Sequence, residues 1–303
     1  MLKFIDIHAH AYRRPVPFVV QFCSADELKA RYQAEGVQMG ALLPIVSPEI
    51  YLPQANEDIL EMVEQSPECF FPFCNVDPRA LTNRADAPLD SVLAYYRDLG
   101  CRGVGEIMPN LRMDDPRVQN LFRCAEKVGL PVTCDGSDRT EGDFGLYDLP
   151  GVPLLEHTLQ RFPRLKFIAH GPIFWSEVRR LPRPAMRKTE FLPNGTQVGF
   201  AGRFGKVSEE GVAQQLLRTY DNLYGELSDA LVFLEDDPDY AATFLTEFQD
   251  KLFYGSDTCQ ASQPFRLKAF LEELHSSGRL GDEPFAKIAR TNAIRFFRLG
   301  LAE

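Results

Sequence analysis

The sequence predicts an α/β protein, specifically a closed (β/α)8 TIM barrel, and three observations favour this fold. Eight short runs rich in Val, Ile and Phe alternate along the chain with longer stretches of helical periodicity. Strands that alternate with helices form parallel βαβ units, and eight such units fit a chain of 303 residues. The rival fold, an open doubly wound sheet, usually carries a Gly-rich turn after its first strand, which this chain lacks.

Each predicted element follows from a local pattern. The strands are the runs 3–8, 38–45, 70–76, 102–107, 131–135, 165–170, 223–227 and 251–256. The helices are the stretches 56–65, 89–99, 117–128, 209–220, 240–248, 264–274 and 283–297. Gly100 and Gly129 directly follow two of these helices, as helix C-termini favour. We therefore expect one barrel domain over residues 1–303, with a loop inserted at about 171–207.

Charge and composition argue against several classes of protein. The chain has 33 Lys and Arg against 43 Asp and Glu, a formal net charge of −10, whereas nucleic-acid binding usually needs a dominant basic face. No apolar run approaches the roughly 18 residues that span a bilayer, and the N-terminus lacks a signal-peptide pattern. The seven cysteines form no CxxC pair, which is typical of free thiols. We expect a cytoplasmic protein with no nucleic-acid or membrane partner.

Polar side chains that can bind metal stand at the ends of the predicted strands. In α/β barrels the active site lies at the carboxyl ends of the strands. These residues are His8, His10, Glu106, Asp135, His170 and Asp257. Three of the five histidines in the chain are among them, which random placement would seldom produce.

His8 and His10 carry the most weight in this set. Residues i and i+2 of a strand point to the same face, so both imidazoles can reach one point inside the barrel mouth. A His-x-His pair alone is weak evidence, because it also occurs in turns. Its position on the first strand, with His170 and Asp257 at later strand ends, favours a divalent metal site.

Four segments together resemble a known family. They are 4–10 (FIDIHAH), 161–171 (RFPRLKFIAHG), 252–257 (LFYGSD) and 288–297 (IARTNAIRFF). The chain resembles the amidohydrolase superfamily, specifically the amidohydrolase-related branch that includes aminocarboxymuconate-semialdehyde decarboxylase. The segments stand in the family's order from one end of the chain to the other, so the resemblance covers the whole chain. The motifs do not specify the reaction.

The resemblance implies roles for four of the strand-end residues. His8 and His10 match the paired metal ligands of the first strand. His170 matches a histidine that either binds metal or touches substrate. Asp257 matches a metal-side carboxylate that handles the proton of the bound water. Asp257 and His170 are therefore the expected catalytic residues.

One position departs from the family pattern. The family usually has a histidine at the end of strand five, where this chain has Asp135. Asp135 could ligate in its place, which would shift the preference from zinc towards manganese or magnesium. Cys134 is a second substitute, although its side chain should point to the other face of the strand. In a third interpretation strand five ligates nothing, and the metal is weakly bound or absent.

Glu106 resembles the strand-end glutamate of the TatD-type metal-dependent hydrolases, in which such a carboxylate can bridge two ions. The alternative is a carboxylate that binds substrate or an arginine at the barrel mouth. The expected cofactor is one divalent ion, with zinc favoured over manganese or magnesium. A second ion is left open.

The stretch 179–206 is basic. Its seven basic residues and one acidic residue give it a charge of +6, so the rest of the chain carries −16. On the active-site side of the barrel, Arg179, Arg180 or Arg203 could bind a substrate carboxylate through two hydrogen bonds. The alternative is a loop that faces solvent or contacts a second copy of the chain. Trp175 is either a wall of the pocket or part of the core.

The sequence therefore predicts a metal-dependent hydrolase. A divalent ion would activate water, Asp257 would accept a proton, and a small carboxylated lactone, amide or ester would be attacked. A metal-dependent non-oxidative decarboxylase is the alternative, and a degenerate barrel without catalytic activity is a third interpretation. We also expect a homodimer.

Overall fold

The structure, a computed structural model, describes residues 2–14, 21–50, 54–180, 190–191, 197–198 and 204–303. Its strands are β1 (Phe4–Ala9), β2 (Val37–Leu42), β3 (Phe70–Pro72), β4 (Val104–Ile107), β5 (Val132–Cys134), β6 (Gly136–Ser137), β7 (Leu146–Tyr147), β8 (Phe167–Ala169), β9 (Glu190–Phe191), β10 (Gln197–Val198), β11 (Leu223–Glu226) and β12 (Leu252–Phe253). Its helices are α1 (Ala25–Glu35), α2 (Asn56–Gln65), α3 (Leu89–Asp98), α4 (Pro116–Val128), α5 (Pro153–Arg161), α6 (Gly171–Ser176), α7 (Val212–Thr219), α8 (Leu231–Leu234), α9 (Pro238–Glu247), α10 (Arg266–Ser276), α11 (Asp282–Ala286) and α12 (Asn292–Phe297).

The barrel strands are parallel and close on themselves. One sheet has the order β1-β2-β3 and the other the order β4-β5-β8-β11-β12, read from its opposite edge. A parallel bridge between Cys74 and Val104 joins the two sheets after β3. A second parallel bridge, between Ala9 and Thr258, joins β1 to the residues that follow β12. The eight predicted strands are therefore confirmed within the described residues, and they form a closed barrel.

Apolar side chains fill both faces of the barrel wall. An inner cluster includes Ile5, Ile7, Met39 and Phe253, whereas the larger cluster lies between the strands and the surrounding helices. Burial on both faces is typical of parallel strands, because helices cover the outer side. The continuous apolar composition of the predicted strands has this physical cause.

The amino end of the barrel is closed by the C-terminal helices. Phe297 of α12 packs against Phe71 and Phe73 with ring centroids 5.5 Å apart in both pairs. Arg290, in the π-helical turn Lys287–Thr291, donates to the carbonyl of Lys3 at 3.0 Å, directly before β1. The carboxyl ends of the strands are therefore left for the polar residues.

Several elements differ from the sequence prediction. Helix α1 was not predicted, and the predicted helix over 283–297 consists of α11, the π-helical turn and α12. The predicted inserted loop includes α6 and the antiparallel pair of β9 with β10. Residues 181–189, 192–196 and 199–203 of that loop lie outside the described residues. The assignment of one domain to the whole chain stays a prediction.

Two further expectations can be compared with the structure. All seven cysteines are free thiols, as their spacing predicted. In the described part of the chain, the helices are all too short or too polar to cross a bilayer.

Candidate metal centre

Four predicted ligands meet at the carboxyl end of the barrel. The Nε2 atoms of His8 and His10 are 3.2 Å apart. Oε2 of Glu106 lies 3.4 Å from the first of these nitrogens and 3.3 Å from the second. Oδ1 of Asp257 lies 3.6 Å and 3.4 Å from the same two atoms. Two nitrogen and two oxygen donors thus surround one point.

The spacing of these donors fits a metal ion better than a set of hydrogen bonds. Ligands on a tetrahedral zinc ion with bonds of about 2.0–2.1 Å are about 3.3 Å apart. The separations of 3.2–3.6 Å between these donor atoms match that value. Most of them exceed the usual length of an N–H···O hydrogen bond, about 2.9–3.0 Å. We conclude that the four side chains fit a divalent cation.

A backbone carbonyl orients His10 towards this point. Nδ1 of the ring lies 2.9 Å from the carbonyl oxygen of Leu43, which can only accept a hydrogen bond. Nδ1 therefore carries the hydrogen, and Nε2 keeps its lone pair for a ligand.

Asp6 anchors the backbone of His8 to two neighbouring elements. Its buried carboxylate accepts hydrogen bonds from the backbone N–H of His8 at 3.0 Å and from the hydroxyl of Tyr32 on α1 at 2.8 Å. The N–H and hydroxyl of Ser256, after β12, donate to it at 2.9 and 2.6 Å. Burial raises the pKa of Asp6 to about 6, although these donors favour its charged form.

Asp257 stands at the solvent edge of the centre. Its backbone N–H donates to the carbonyl of His8 at 2.9 Å, and its own carbonyl accepts from the amide of Gln263 at 2.8 Å. Its φ of 46° is in the left-handed region, which aspartate tolerates better than most residues. The side chain is 33% exposed, whereas those of His8, His10 and Glu106 are almost fully buried.

His170 and Asp135 lie on the other side of Glu106. Nε2 of His170 is 3.4 Å from Oε1 of Glu106, so the two oxygens of this carboxylate face different groups of ligands. Asp135 can share an ion with Glu106 and His170, and it is not in the group of His8, His10 and Asp257. Gly171, with φ +85°, leaves the space for the Asp135 carboxylate that a Cβ would occupy.

Sequence reasoning missed three residues of the centre. Glu226 ends β11, Ser228 follows it, and the carboxylate of Asp229 lies 4.0 Å from Nε2 of His170. The rule that found the other candidates, a polar residue at the end of each strand, also applies to Glu226 in the predicted strand 223–227.

The three imidazoles have raised pKa values in the metal-free protein. Burial and the charge of His170 act to lower the pKa of His8, but Glu106 and Glu226 outweigh them and raise it to about 10. Burial also acts to lower the pKa of His10, but hydrogen bonds with Asp257 and Glu106 raise it. The pKa of His170 is well above its usual value for the same reason, with Glu106 and Glu226 as the partners.

The two glutamates among these rings show the opposite shift, a lowered pKa. Burial alone would raise the pKa of Glu106, yet the three imidazoles hold it well below its usual range. For Glu226 the neighbouring His170 and His8 overcome burial and lower the pKa to about 2. Glu106 and Glu226 are therefore charged and stabilise protons on the neighbouring rings, and a cation bound at the Nε2 atoms would displace the protons there.

The residues predicted to bind substrate lie away from these ligands or outside the described residues. Trp175 is fully buried, and its indole N–H donates to the backbone carbonyl of Glu226 at 2.8 Å. Arg179 is also buried, and its guanidinium donates to the carbonyls of Phe204, Gly205 and Phe233. Arg180 forms an exposed pair with Glu209, and Arg203 lies outside the described residues. Substrate binding by these residues stays a prediction.

Comparisons with known proteins show similarity in structure. No family model matches the chain, and no curated protein matches it. Among solved structures, an uncharacterised TIM-barrel protein from Bordetella bronchiseptica aligns with a TM-score of 0.63 and 17% identity, over 98% of this chain and 99% of the other. A candidate 2-pyrone-4,6-dicarboxylic acid hydrolase from Pseudomonas putida aligns with a TM-score of 0.61 and 16% identity, over 100% of both chains.

A third similar structure is a 5-carboxyvanillate decarboxylase from Novosphingobium aromaticivorans, crystallised with manganese and a nitrobenzoic acid. It aligns with a TM-score of 0.57 and 12% identity, over 98% of this chain and 97% of the other. These similarities confirm the (β/α)8 barrel. They also include both classes of reaction, hydrolysis and decarboxylation, that the motif resemblance implied.

Proposed function

We propose that this chain is a metal-dependent hydrolase that acts on a small carboxylated lactone, amide or ester. The observation that carries the proposal is the meeting of His8, His10, Glu106 and Asp257, whose donor atoms are spaced as ligands of one ion. The centre lies at the end of the barrel where the active sites of this fold are found. The two similar enzymes act, by their names, on carboxylated compounds.

The donor set favours zinc or manganese. Two imidazole nitrogens suit zinc, whereas two carboxylate oxygens are also good ligands for manganese. Magnesium prefers oxygen ligands and retains water, so it is the least favoured of the three. The bound manganese of the similar decarboxylase supports the second choice.

A second ion is a further part of this proposal. Glu106 directs Oε2 to His8 and His10 and Oε1 to His170, which is the arrangement of a bridging carboxylate. Asp135 completes the second group of ligands. In this arrangement Asp135 does not replace the missing strand-five histidine at the first ion, but serves the second.

The residues around the centre have separate chemical roles. When bound, a divalent cation would polarise a substrate carbonyl and lower the pKa of water, so that hydroxide is available to attack that carbonyl at neutral pH. Asp257 is positioned to accept the proton of that water, because its carboxylate lies at the solvent edge. His170 directs Nε2 into the centre, where its lone pair would bind the second ion beside Glu106.

A non-oxidative decarboxylase is the second candidate, and Asp229 favours it. The pKa of Asp229 is raised to about 7, mainly by burial. The positive charge of His170 opposes this rise, whereas the negative charges of Asp257, Asp135 and Glu226 add to it. A carboxylic acid with this pKa can carry a proton at neutral pH, and loss of carbon dioxide must be followed by protonation of carbon. Its side chain is 36% exposed at the mouth of the centre.

Metal analysis followed by isotope labelling tests these proposals. We expect protein purified without chelators to contain zinc or manganese, and we expect His8→Ala to lose it. Turnover in 18O-labelled water distinguishes the two reactions: a hydrolase incorporates the label in its organic product, whereas a decarboxylase releases carbon dioxide and leaves its organic product unlabelled. Wild-type protein that binds neither ion would favour the degenerate barrel instead.

A homodimer and an anionic substrate remain parts of the proposal. The basic stretch 179–206 would contribute to binding of the anionic substrate.

A further inference from the structure

Glu226 is a buried carboxylate with an unusual set of neighbours. It lies at the end of β11 with no exposed surface. Among the described residues, its ion-pair partners are two histidines, and neither lysine nor arginine is within salt-bridge distance. A buried carboxylate costs several kcal/mol of desolvation unless other groups compensate for it. The groups that contact Glu226 therefore indicate its role.

One oxygen of Glu226 faces two imidazole rings from different strands. Oε2 lies 2.6 Å from Nδ1 of His170 and 3.5 Å from Nδ1 of His8. Ser228 donates to the same carboxylate through its hydroxyl at 2.8 Å and through its backbone N–H at 2.6 Å. An ionised carboxylate only accepts hydrogen bonds, so the ring nitrogen that contacts it carries a hydrogen.

His8 supplies an independent observation. Its Nδ1 is buried and has no hydrogen-bond partner among the described residues. The acceptor that this nitrogen faces is Oε2 of Glu226, slightly beyond hydrogen-bond length. The buried nitrogen without a partner and the carboxylate oxygen thus face each other.

Glu226 and the two Nδ1 atoms could instead ligate an ion, but their distances argue against it. Two donors on one ion are about 3.3 Å apart in tetrahedral zinc. The separation of 2.6 Å between Glu226 and His170 is that of a charge-assisted hydrogen bond. The carboxylate is therefore a partner of the rings, on the side opposite the metal centre.

We propose that Glu226 is a positioning residue that holds both His8 and His170 with Nδ1 protonated and thereby directs both Nε2 atoms into the metal centre. This inference rests on the proposed function, because an ion is what the Nε2 atoms would bind. A carboxylate that receives the far nitrogen of a histidine fixes the ring's orientation and makes it a better ligand. Here one carboxylate does so for two rings.

Gly255 creates the space for this arrangement. A Cβ at position 255 would overlap the carboxylate of Glu226 and would lie 2.6 Å from its Cγ. Any larger residue at position 255 would push Glu226 away from the rings of His8 and His170. Gly255→Ala is therefore a second way to disturb the contact while the carboxylate remains in the chain.

The test compares Glu226→Gln with wild type in zinc affinity and in the nuclear magnetic resonance of the histidine side chains. We expect zinc binding to weaken about 10- to 100-fold, as for other carboxylates behind metal-binding histidines. We also expect the Nδ1–H protons of His8 and His170, protected from exchange in wild type, to lose protection. Asp282→Asn is the matched control, because Asp282 contacts His275 at 2.8 Å in an exposed pair far along the chain. It should change neither measurement.

Two outcomes separate this inference from the proposed function. If folded Glu226→Gln binds zinc as wild type does and keeps both protected Nδ1–H signals, the positioning role is wrong and the metal site stands. If wild type binds neither zinc nor manganese, the metal site is wrong, and the Nδ1–H signals alone then decide whether Glu226 holds the two rings. Where Glu226→Gln does not fold, as judged by circular dichroism, the same measurements on Gly255→Ala decide it.

Discussion

At the residue level, two contacts orient His10 as a candidate metal ligand. Its Nδ1 is held by the carbonyl of Leu43, and its Nε2 points to the same place as Nε2 of His8. The pattern His-x-His predicted this convergence, because alternate residues of a strand share a face. The carbonyl that orients the ring belongs to a residue 33 positions away, and no local pattern predicts that contact.

His10→Ala should abolish tight metal binding. The change removes one of two nitrogen donors, and even loss of a partner behind a ligand costs 10- to 100-fold in affinity. We therefore expect the dissociation constant for zinc to rise by more than about 100-fold in a chelator competition titration. His157→Ala, which changes an exposed histidine of α5, is the control and should bind zinc as wild type does. Equal affinities of the two variants would contradict the ligand assignment.

Metal affinity should depend on pH in a predictable direction. In the metal-free protein the pKa of His8 is raised to about 10, and those of His10 and His170 are also raised. Protons therefore compete with the cation for these rings, so affinity falls as pH falls. Between pH 8 and 6 we expect a loss of about tenfold per pH unit for each proton displaced. Calorimetry in buffers of different ionisation enthalpy measures the proton release, and binding without such release would refute the prediction.

At the scale of elements, α1 illustrates where sequence patterns are too weak. Ser24 and Glu27 form a capping box, and Gly36 ends the helix in the left-handed conformation, so both ends carry visible signals. The interior lacks the apolar stripe that predicts a helix, because only Leu28 and Tyr32 are buried. The buried hydroxyl of Tyr32 donates to Asp6. Through this contact α1 supports the first strand, and the contact exists only in the folded tertiary structure.

Gly40→Ala should destabilise the protein through this helix. A Cβ at Gly40 would overlap the hydroxyl of Tyr32 and would lie 2.5 Å from its Cε2, so Tyr32 must move away from Asp6. Overpacking of a core typically costs about 1–3 kcal/mol, and we expect a loss in that range in urea unfolding. Gly281→Ala, where the nearest atom is 3.7 Å away, is the matched control and should lie within about 0.5 kcal/mol of wild type. A stable Gly40→Ala variant would show that Tyr32 can relax freely.

At the scale of the whole molecule, closure of the barrel brings the centre together. Asp257 is 249 positions from His8 in the sequence. Its N–H nevertheless donates to the carbonyl of His8, because β12 lies beside β1 where the barrel closes. Glu106 enters from β4 across the mouth. A metal ion bound by these residues would therefore link elements from both ends of the chain, and we expect it to stabilise the folded state as a whole.

Metal removal should lower the melting temperature. A ligand that binds only the folded state at 100 times its dissociation constant stabilises that state by about 2.7 kcal/mol. For a protein of this size, 1 kcal/mol corresponds to roughly 2–4 °C, so EDTA should lower the melting temperature by several degrees. His10→Ala should melt at the same temperature with and without EDTA. Scanning calorimetry measures both, and an equal response of the two proteins would indicate metal binding elsewhere.

The barrel and most of the candidate ligands can be predicted from the sequence alone. Strand composition, helix ends and the positions of His8, His10, Glu106, His170 and Asp257 at strand ends are local properties, and periodicity reports them directly. The sequence did not determine which ligands share a point. Only the tertiary structure placed Asp135 with His170 and Glu106 rather than with His8 and His10.

The tertiary structure also decided which residues serve the ligands. The contacts of Glu226 with two rings and of Trp175 with a backbone carbonyl are consequences of strand order and register, which join residues about 50 to 220 positions apart. Such contacts form only when distant parts of the chain are positioned relative to each other to within a few tenths of an ångström. A strand pattern specifies the face on which a side chain lies, whereas its partner across the barrel depends on how all eight strands close.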